Sequence, residues 1–257
     1  MMQIYSWNVN GIRSVEKKDF IPWLFSSGAD IVCVQETKAN PGQLSPSLKF
    51  PERDGVTYTS YWASAKRPGY SGTAVYCKTK PDAVFVLGNS AFDDEGRVLA
   101  VRYGNLVVIC AYFPNSQEAG ARLPYKLDFC AAMLDFCQSL VSGGKNIVLC
   151  GDYNIAHKPI DLKHPKANEG NPGYLPEERA WMDTFTSSGF VDTFRHFCQD
   201  PDQYTWWSYR FHAREKNAGW RIDYQCVNER LLPAVKSSVI CPSVIGSDHC
   251  PVKLELA

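Results

Sequence analysis

Net charge is the first thing this sequence lacks, because its 27 lysines and arginines are matched by 27 aspartates and glutamates. No whole-molecule positive field attracts a polyanion, so any such partner must be held by charge gathered locally. No apolar run approaches the ~20 residues that a membrane-spanning helix needs, and no membrane partner is expected. Low-complexity tracts, fixed-period repeats and Gly/Ser-rich linkers are also missing, which favours one domain over residues 1–257. The ten cysteines include no CxxC pair. Most lie in apolar runs such as "DIVCVQE" and "NIVLCGD", which reads as buried free thiols and argues against a disulfide framework or a zinc site. The chain opens on "MMQIYSWNVNG", already strand-like, without the basic segment and cleavage site of an export signal. The expectation is a cytoplasmic protein, in the cytosol or nucleoid of a bacterium, acting as a monomer.

What is present is an ordinary globular composition, 45% hydrophobic and 21% charged, which supplies a large core. Short β-rich runs dominate the first half at 3–7, 31–35, 57–64, 73–78, 83–88, 97–103 and 106–113. The second half adds runs at 146–151, 203–207, 221–227, 237–241 and 252–256. Several are apolar throughout, as strands covered on both faces are. Helices are fewer. Leu123, Leu127, Cys130, Leu134, Cys137 and Val141 recur at spacings of three and four, predicting a helix over 121–142 with one apolar face. "PEERAWMDTF" (176–185) opens with proline and two acids, which favour a helix N-terminus. A third helix is predicted over 18–28. Many strands with few, separated helices predict an α/β fold of two packed mixed sheets flanked by helices.

The polar residues able to carry chemistry share one position, at or just beyond a predicted strand end. Asn8 and Asn10 follow the first strand and Glu36 the second, while Tyr112 and Asn115 end "LVVICAYFPN". Asp152 and Asn154 follow "NIVLCG", Asp223 lies in "WRIDY", and Asp248 and His249 precede the last strand. Each motif alone also reads as a turn. Their repetition at strand ends points instead to one site held by a rigid sheet. Asp248 and His249 can both face that site only if Gly246–His249 is a turn, since strand neighbours point to opposite faces. Carboxylate and amide oxygens without a Cys/His cluster suit Mg²⁺, or Mn²⁺, and not zinc. Such a sparse shell, with Glu36 and either Asn8 or Asp248, leaves room for a phosphodiester. A carboxylate would then activate water, and Asp223 would hold His249 in one tautomer.

The missing positive field reappears locally. In residues 205–222, Arg210, Arg214, Lys216 and Arg221 against Glu215 give +4 − 1 = +3, with aromatic residues and His212 interleaved. This loop can grip phosphates, or it can be a solvated cover over core tryptophans. Trp7, Trp23, Trp62 and Trp181 read as core.

Taken together, "WNVNGIR", "QETK", "GYSG", "DEGRV", "AYFPN", "GDYNIAH", "GYLPEER", "WRIDY" and "GSDHCPV" strongly resemble the exonuclease III family of abasic-site endonucleases, within the DNase I-like superfamily. The matching motifs run through nearly the whole chain. "GDYN" and "SDH" alone indicate only the superfamily, whereas "DLKHPKANEGNPGYLPEER" and the 204–224 stretch are specific to the abasic-site branch.

The resemblance implies a four-layer αββα sandwich. It implies Glu36 as principal metal ligand, supported by Asn8, with Asp248 in or near the shell. Asp152 would activate water, Asn154 would orient it, and Tyr112, Asn115 and His249 would contact the phosphate with Asp223 behind His249. Asn168 and Asn171 would line the phosphate and sugar site, and Trp206, Trp220 and Ile222 a pocket for a flipped abasic sugar. Arg210 would be a wedge beside it. Asn10 departs from an aspartate found in some members, which weakens its metal contact or routes it through water.

The implied activity is Mg²⁺-dependent hydrolysis 5′ to abasic sites in duplex DNA, leaving a 3′-hydroxyl, with 3′-phosphodiesterase, 3′-phosphatase and 3′→5′ exonuclease activities as companions. Duplexes with blocked 3′ ends are further expected partners. The alternatives are a 3′-end-processing exonuclease with little incision activity, a superfamily phosphatase, or a non-catalytic DNA-damage binder.

Overall fold

The computed structural model describes residues 1–257. Strands β1 (Met2–Asn8), β2 (Ile31–Gln35), β3 (Glu52–Arg53), β4 (Val56–Thr57), β5 (Thr59–Ala63), β6 (Thr73–Cys77) and β7 (Ala83–Phe85) fill the first third. They are followed by β8 (Val98–Tyr103), β9 (Leu106–Tyr112), β10 (Asn146–Asp152), β11 (Phe190–Asp192), β12 (Asp223–Asn228), β13 (Val235–Ile240) and β14 (Val252–Leu256). The helices are α1 (Ile12–Glu16), α2 (Phe20–Ser26), α3 (Pro46–Lys49), α4 (Ser90–Asp93), α5 (Leu123–Ser142), α6 (Pro176–Ser187) and α7 (Thr193–Phe197). Two six-stranded sheets form, in the orders β13-β14-β1-β2-β6-β5 and β11-β12-β10-β9-β8-β7, with β3 and β4 as a separate hairpin.

Side-chain alternation divides the buried residues into three cores, and three cores require four layers. Ile4, Ile31 and Cys33 meet Val108, Cys110, Val148 and Cys150 between the sheets. Their strand neighbours Tyr5, Val32 and Val34 point outward onto Ile12, Val15, Phe20 and Leu24 of α1 and α2. On the far side Val107, Ile109, Ile147 and Leu149 pack against Phe129, Met133, Trp181 and Phe185 of α5 and α6. This is the αββα sandwich, and it explains why the strands are apolar on both faces. All ten cysteines are free, and eight of them are buried.

The register then gathers the strand ends. Strands β1 and β2 are parallel and pair Asn8 with Gln35 at their last residues. Strands β9 and β10 are also parallel and end with Asp152 opposite Tyr112. Antiparallel β12 begins there, with Asp223 opposite Asp152. Strand β14 runs antiparallel to β1, so the residues preceding it arrive at the same end.

Three sequence expectations change. Residues 203–207 form no strand, and Trp206 makes only isolated bridges to Trp220 and His249. Their backbone donors are divided between two loops, Thr205 and Trp206 to the Trp220 carbonyl and Trp207 to that of Asp248. The buried stripe of α5 is Lys126, Phe129, Cys130, Met133 and Cys137, while Leu127, Leu134 and Val141 are only partly buried. The bulkier Phe129 and Met133 turn the helix away from the stripe its leucines mark. Strand β11 lies in a short run after Gly189 that periodicity does not reveal.

Strand β10 depends on a glycine one residue before the site. A Cβ on Gly151 would lie 1.8 Å from the Ala111 carbonyl oxygen, which cannot withdraw without opening the β9–β10 ladder. Gly151→Ala should cost about 2–3 kcal/mol, in the range of overpacked cores. That corresponds to a melting temperature lower by about 5–10 °C at this chain length. An unshifted thermal transition would show that the close approach is absent in solution.

Candidate active site

A cavity of about 280 Å³ opens where these strand ends meet. Asn10, Glu36, Tyr112, Asn115, Asp152, Asn154, Asp248 and His249 supply its polar lining, and Trp206, Trp220 and Ile222 one apolar side. Pro172 and Gly173, which motif reading did not single out, complete it. Gly173 is tight there, since a Cβ would sit 3.3 Å from the Trp220 ring. A larger cleft of about 690 Å³ lies beside the same 243–248 loop. Its acid–imidazole pair, His212 and Glu215, is exposed, so the smaller cavity holds the buried chemistry.

Asp152 is the most enclosed acid in the cavity. Its Oδ1 accepts the Asn154 N–H at 2.8 Å, and its Oδ2 accepts Asn8 Nδ2 at 2.9 Å and Asn154 Nδ2 at 3.1 Å. Burial, opposed by His249 and reinforced by Asp223, pushes its carboxyl up to about 7. Asn8 does not line the cavity. Its Nδ2 is committed to Asp152, and its Oδ1 accepts the Asn10 N–H at 2.9 Å. Both ends of that amide face protein, and Asn8 supports Asp152.

His249 Nδ1 lies 2.9 Å from Asp223 Oδ2, and its Nε2 is 3.9 Å from Asp152. Burial disfavours the imidazolium, but the Asp223 carboxylate, with Asp152 and Asp248 behind it, pushes His249 up to about 10. The histidine is therefore a cation at neutral pH, donating Nδ1–H to Asp223. Asp152, Asp223 and His249 lie within 4.8 Å of one another, a spacing that a metal ion could also use. The 2.9 Å contact engages Nδ1 with Asp223, so the geometry makes this trio a hydrogen-bonded acid–imidazole pair beside a third acid.

The oxygen donors suited to a hard cation face the same cavity from its other side. Glu36 stands beyond β2 at φ 58°, and its carbonyl accepts the Gly11 N–H at 2.8 Å. Lys38 Nζ lies 2.9 Å from Glu36 Oε1 and also donates to Asn10 Oδ1. A cationic group thus already sits between two of the expected ligands, and this donor set fits a positive ion. Asp248 accepts Asn10 Nδ2 at 2.9 Å on Oδ1 and the Trp206 indole N–H at 3.1 Å on Oδ2. The Gly246–Asp248 bend, with Gly246 at φ 128°, lets Asp248 and His249 face one cavity. Trp7 and Ser247 secure this loop, donating to the His249 and Asn8 carbonyls at 3.1 and 2.8 Å.

Tyr112 is held by Arg97, whose guanidinium lies over its ring at 5.1 Å and donates to its carbonyl at 2.9 Å. Burial, then the Glu36 and Asp152 carboxylates, hold its hydroxyl well above the ordinary range, so it stays a neutral donor. Asn115 Nδ2 donates to Asn154 Oδ1 at 3.1 Å. Asn168, Asn171 and Arg210 fall outside the cavity lining. Asn168 spends its amide on the Lys163 and His164 carbonyls, and Asn171 donates to Asn168 Oδ1 at 3.1 Å. Arg210 stands exposed on the 208–212 turn.

This arrangement, an αββα sandwich with acids, amides and an acid–imidazole pair gathered at one end of its two sheets, defines a phosphoester hydrolase of the DNase I-like class. The Endonuclease/Exonuclease/phosphatase family model matches residues 5–249, and the chain belongs to that family. It is 44% identical to an exodeoxyribonuclease of Bacillus subtilis, covering 98% of both chains. It is 39% identical to the DNA repair nuclease APEX1 of Danio rerio, over the whole of this chain and 82% of that protein. The APE2 catalytic domain of Xenopus laevis superposes with a TM-score of 0.88 at 33% identity, over 99% of this chain and 91% of that one.

The His249 pair has a pH signature. Its folded pKa of about 10 exceeds the ordinary 6.5, so its stabilisation is complete below pH 6.5 and is lost as pH rises through 10. Asp223→Asn should therefore cost most stability near pH 6 and progressively less toward pH 10. Ring-proton NMR should find the imidazole charged at pH 8 in the wild type and titrating lower in the variant. A wild-type midpoint near 6.5 would remove the pairing.

Proposed function

We propose that the protein is a divalent-metal-dependent DNA repair nuclease that hydrolyses the phosphodiester 5′ to an abasic site in duplex DNA and leaves a 3′-hydroxyl. The observation that carries this reading is a shared cavity, in which a hydrolytic acid–amide–imidazole set faces an apolar wall of Trp206, Trp220 and Ile222. A nucleotide that has lost its base presents a bare sugar to such a wall, and extrusion costs least at damaged sites.

Asp152 takes a proton from the attacking water, and its pKa of about 7 suits a base at neutral pH. Asn154, already bonded to Asp152, orients that water. The imidazolium of His249, the Tyr112 hydroxyl and the Asn115 amide donate to the phosphoryl oxygens as negative charge grows on them. The water oxygen bonds to phosphorus, the bond to the 3′-oxygen breaks, and that oxygen leaves as the 3′-hydroxyl after gaining a proton. Glu36, with Asn10 and Asp248, would hold Mg²⁺, or Mn²⁺, which when bound supplies positive charge to the phosphoryl group and the leaving oxygen. Arg210 and Lys216, exposed on the 205–222 loop, would grip flanking phosphates in a salt-dependent manner. Arg221 is buried against Asp161 and Asp192, and Arg214 is spent on the Ser247, Pro242 and Val244 carbonyls, so the loop presents less charge than its sequence suggests. The likeness to an exodeoxyribonuclease favours a second reading, a 3′-end-processing enzyme that uses the same machinery on recessed or blocked ends.

Asp152→Asn should lower incision of a duplex carrying one stable abasic analogue by about 10²–10⁴-fold, the usual value of a general base. Its affinity for that duplex should be nearly unchanged, and wild-type turnover in the variant would reject the assigned base. Glu36→Ala should shift the Mg²⁺ titration to higher concentration and lower the maximal rate, so an identical titration would remove Glu36 as ligand. If the wild type shortens a recessed 3′ end without incising the analogue, the second reading replaces the first.

A further inference from the structure

Lys126 of α5 and Glu178 of α6 form an ion pair at 2.7 Å with both side chains fully buried, yet neither lines the cavity. The Lys126 ammonium also donates to the backbone carbonyl of Asn154 at 2.6 Å. Glu178 accepts the Ser116 hydroxyl at 2.5 Å on the same oxygen and the Leu175 N–H at 2.9 Å on the other. Through Ser116, next to Asn115, the pair grips the loop after β9. Through Asn154 it grips the loop after β10.

Stability alone does not account for this pair. Desolvation cancels most of the attraction between two buried charges, and apolar residues of similar volume stabilise as well or better. What apolar residues cannot do is donate a hydrogen bond to the Asn154 carbonyl. Asn154 has φ 52°, a left-handed conformation that few non-glycine residues adopt. Its N–H and side-chain amide are both bonded to Asp152, so any rotation of this backbone displaces the partners of that carboxylate.

We propose that Lys126 and Glu178 are positioning residues, whose buried ion pair locks the loops after β9 and β10 together so that Asn115, Asp152 and Asn154 meet the water and phosphate in one fixed arrangement. The inference rests on the reading of the cavity as a hydrolytic centre and extends it to residues that touch neither substrate nor metal.

The test is a double variant, Lys126→Met with Glu178→Gln, which leaves no unpaired buried charge and in which the substituted amide accepts the Leu175 N–H on its oxygen and donates its NH2 to the Ser116 hydroxyl oxygen. It should fold, while kcat on the abasic-analogue duplex falls by about 10- to 100-fold, the penalty for reacting groups misplaced by about an ångström. KM and duplex affinity should hardly move. Lys126→Arg, which retains donors for both Glu178 and the Asn154 carbonyl, should recover most of kcat. Amide hydrogen exchange at Asn154 and Ala156 should accelerate in the double variant and not in Lys126→Arg. A folded double variant with wild-type kcat, or one whose loss falls on KM alone, overturns the proposal. If the wild type incises nothing, the hydrolytic reading fails, and unchanged exchange at Asn154 and Ala156 would then reject the positioning role by itself.

Discussion

The pairing of Asp152 with Tyr112 on one side and Asp223 on the other is the constraint on which the site depends. One residue of β10 thereby fixes where an acid, a phenol and the partner of an imidazole stand. A slip of one residue in either ladder would turn Asp152 to the opposite face, because strand side chains alternate. The glycine before it holds β10 close to β9, and the parallel β1–β2 pair brings Asn8 and Glu36 to the same end. Chemistry is thus positioned by backbone register before any side-chain contact forms.

The site also carries a cost that the fold meets elsewhere only at buried ion pairs such as Lys126–Glu178 and Arg221–Asp161. Asp152, Asp223 and His249 are all nearly inaccessible, and burying charge is unfavourable unless it is paired and hydrogen-bonded. Each acid therefore carries a designated donor: Asn8 and Asn154 for Asp152, His249 for Asp223, Asn10 and Trp206 for Asp248. Trp206 belongs to both halves of the cavity, since its ring forms the apolar wall while its indole N–H fixes an acid on the polar side. The shape of the cavity and its local electrostatics are consequently set by the same side chain.

Much of this was legible in the sequence where local pattern and tertiary structure agree. The β-branched runs around Ile31, Val107 and Ile147 are strands because both their faces are covered, and the polar residues that end them converge because the strands do. The pattern misled at "QYTWW", whose aromatics suggest a strand, yet Trp206 lines the cavity while Tyr204 and Trp207 pack in a small cluster with Ala213 and Cys250. Asn8 reads as a possible ligand, and only its two hydrogen bonds show that both ends of its amide are occupied. Lys126 and Glu178 were illegible as a pair, because a charge near a helix N-terminus ordinarily faces solvent and nothing local marks two such charges as partners. Asn168 and Asn171 share the loop with Pro172 and Gly173, and which of them faces the cavity depends on how that loop bends.

The ammonium of Lys38, seated between Glu36 and Asn10, gives the Glu36 carboxylate a counter-ion from the chain itself. A divalent ion that used the same two oxygens would have to displace this tethered monovalent charge. The positive charge of Lys38 also mutes the repulsion of the Glu36 carboxylate toward Asp152 and Asp248. A tethered charge of this kind also sets a threshold, because a weakly held ion cannot displace a neighbour that is always present at high effective concentration. Selectivity for ion charge would then arise from a lysine beside the oxygen donors, not from the donors alone.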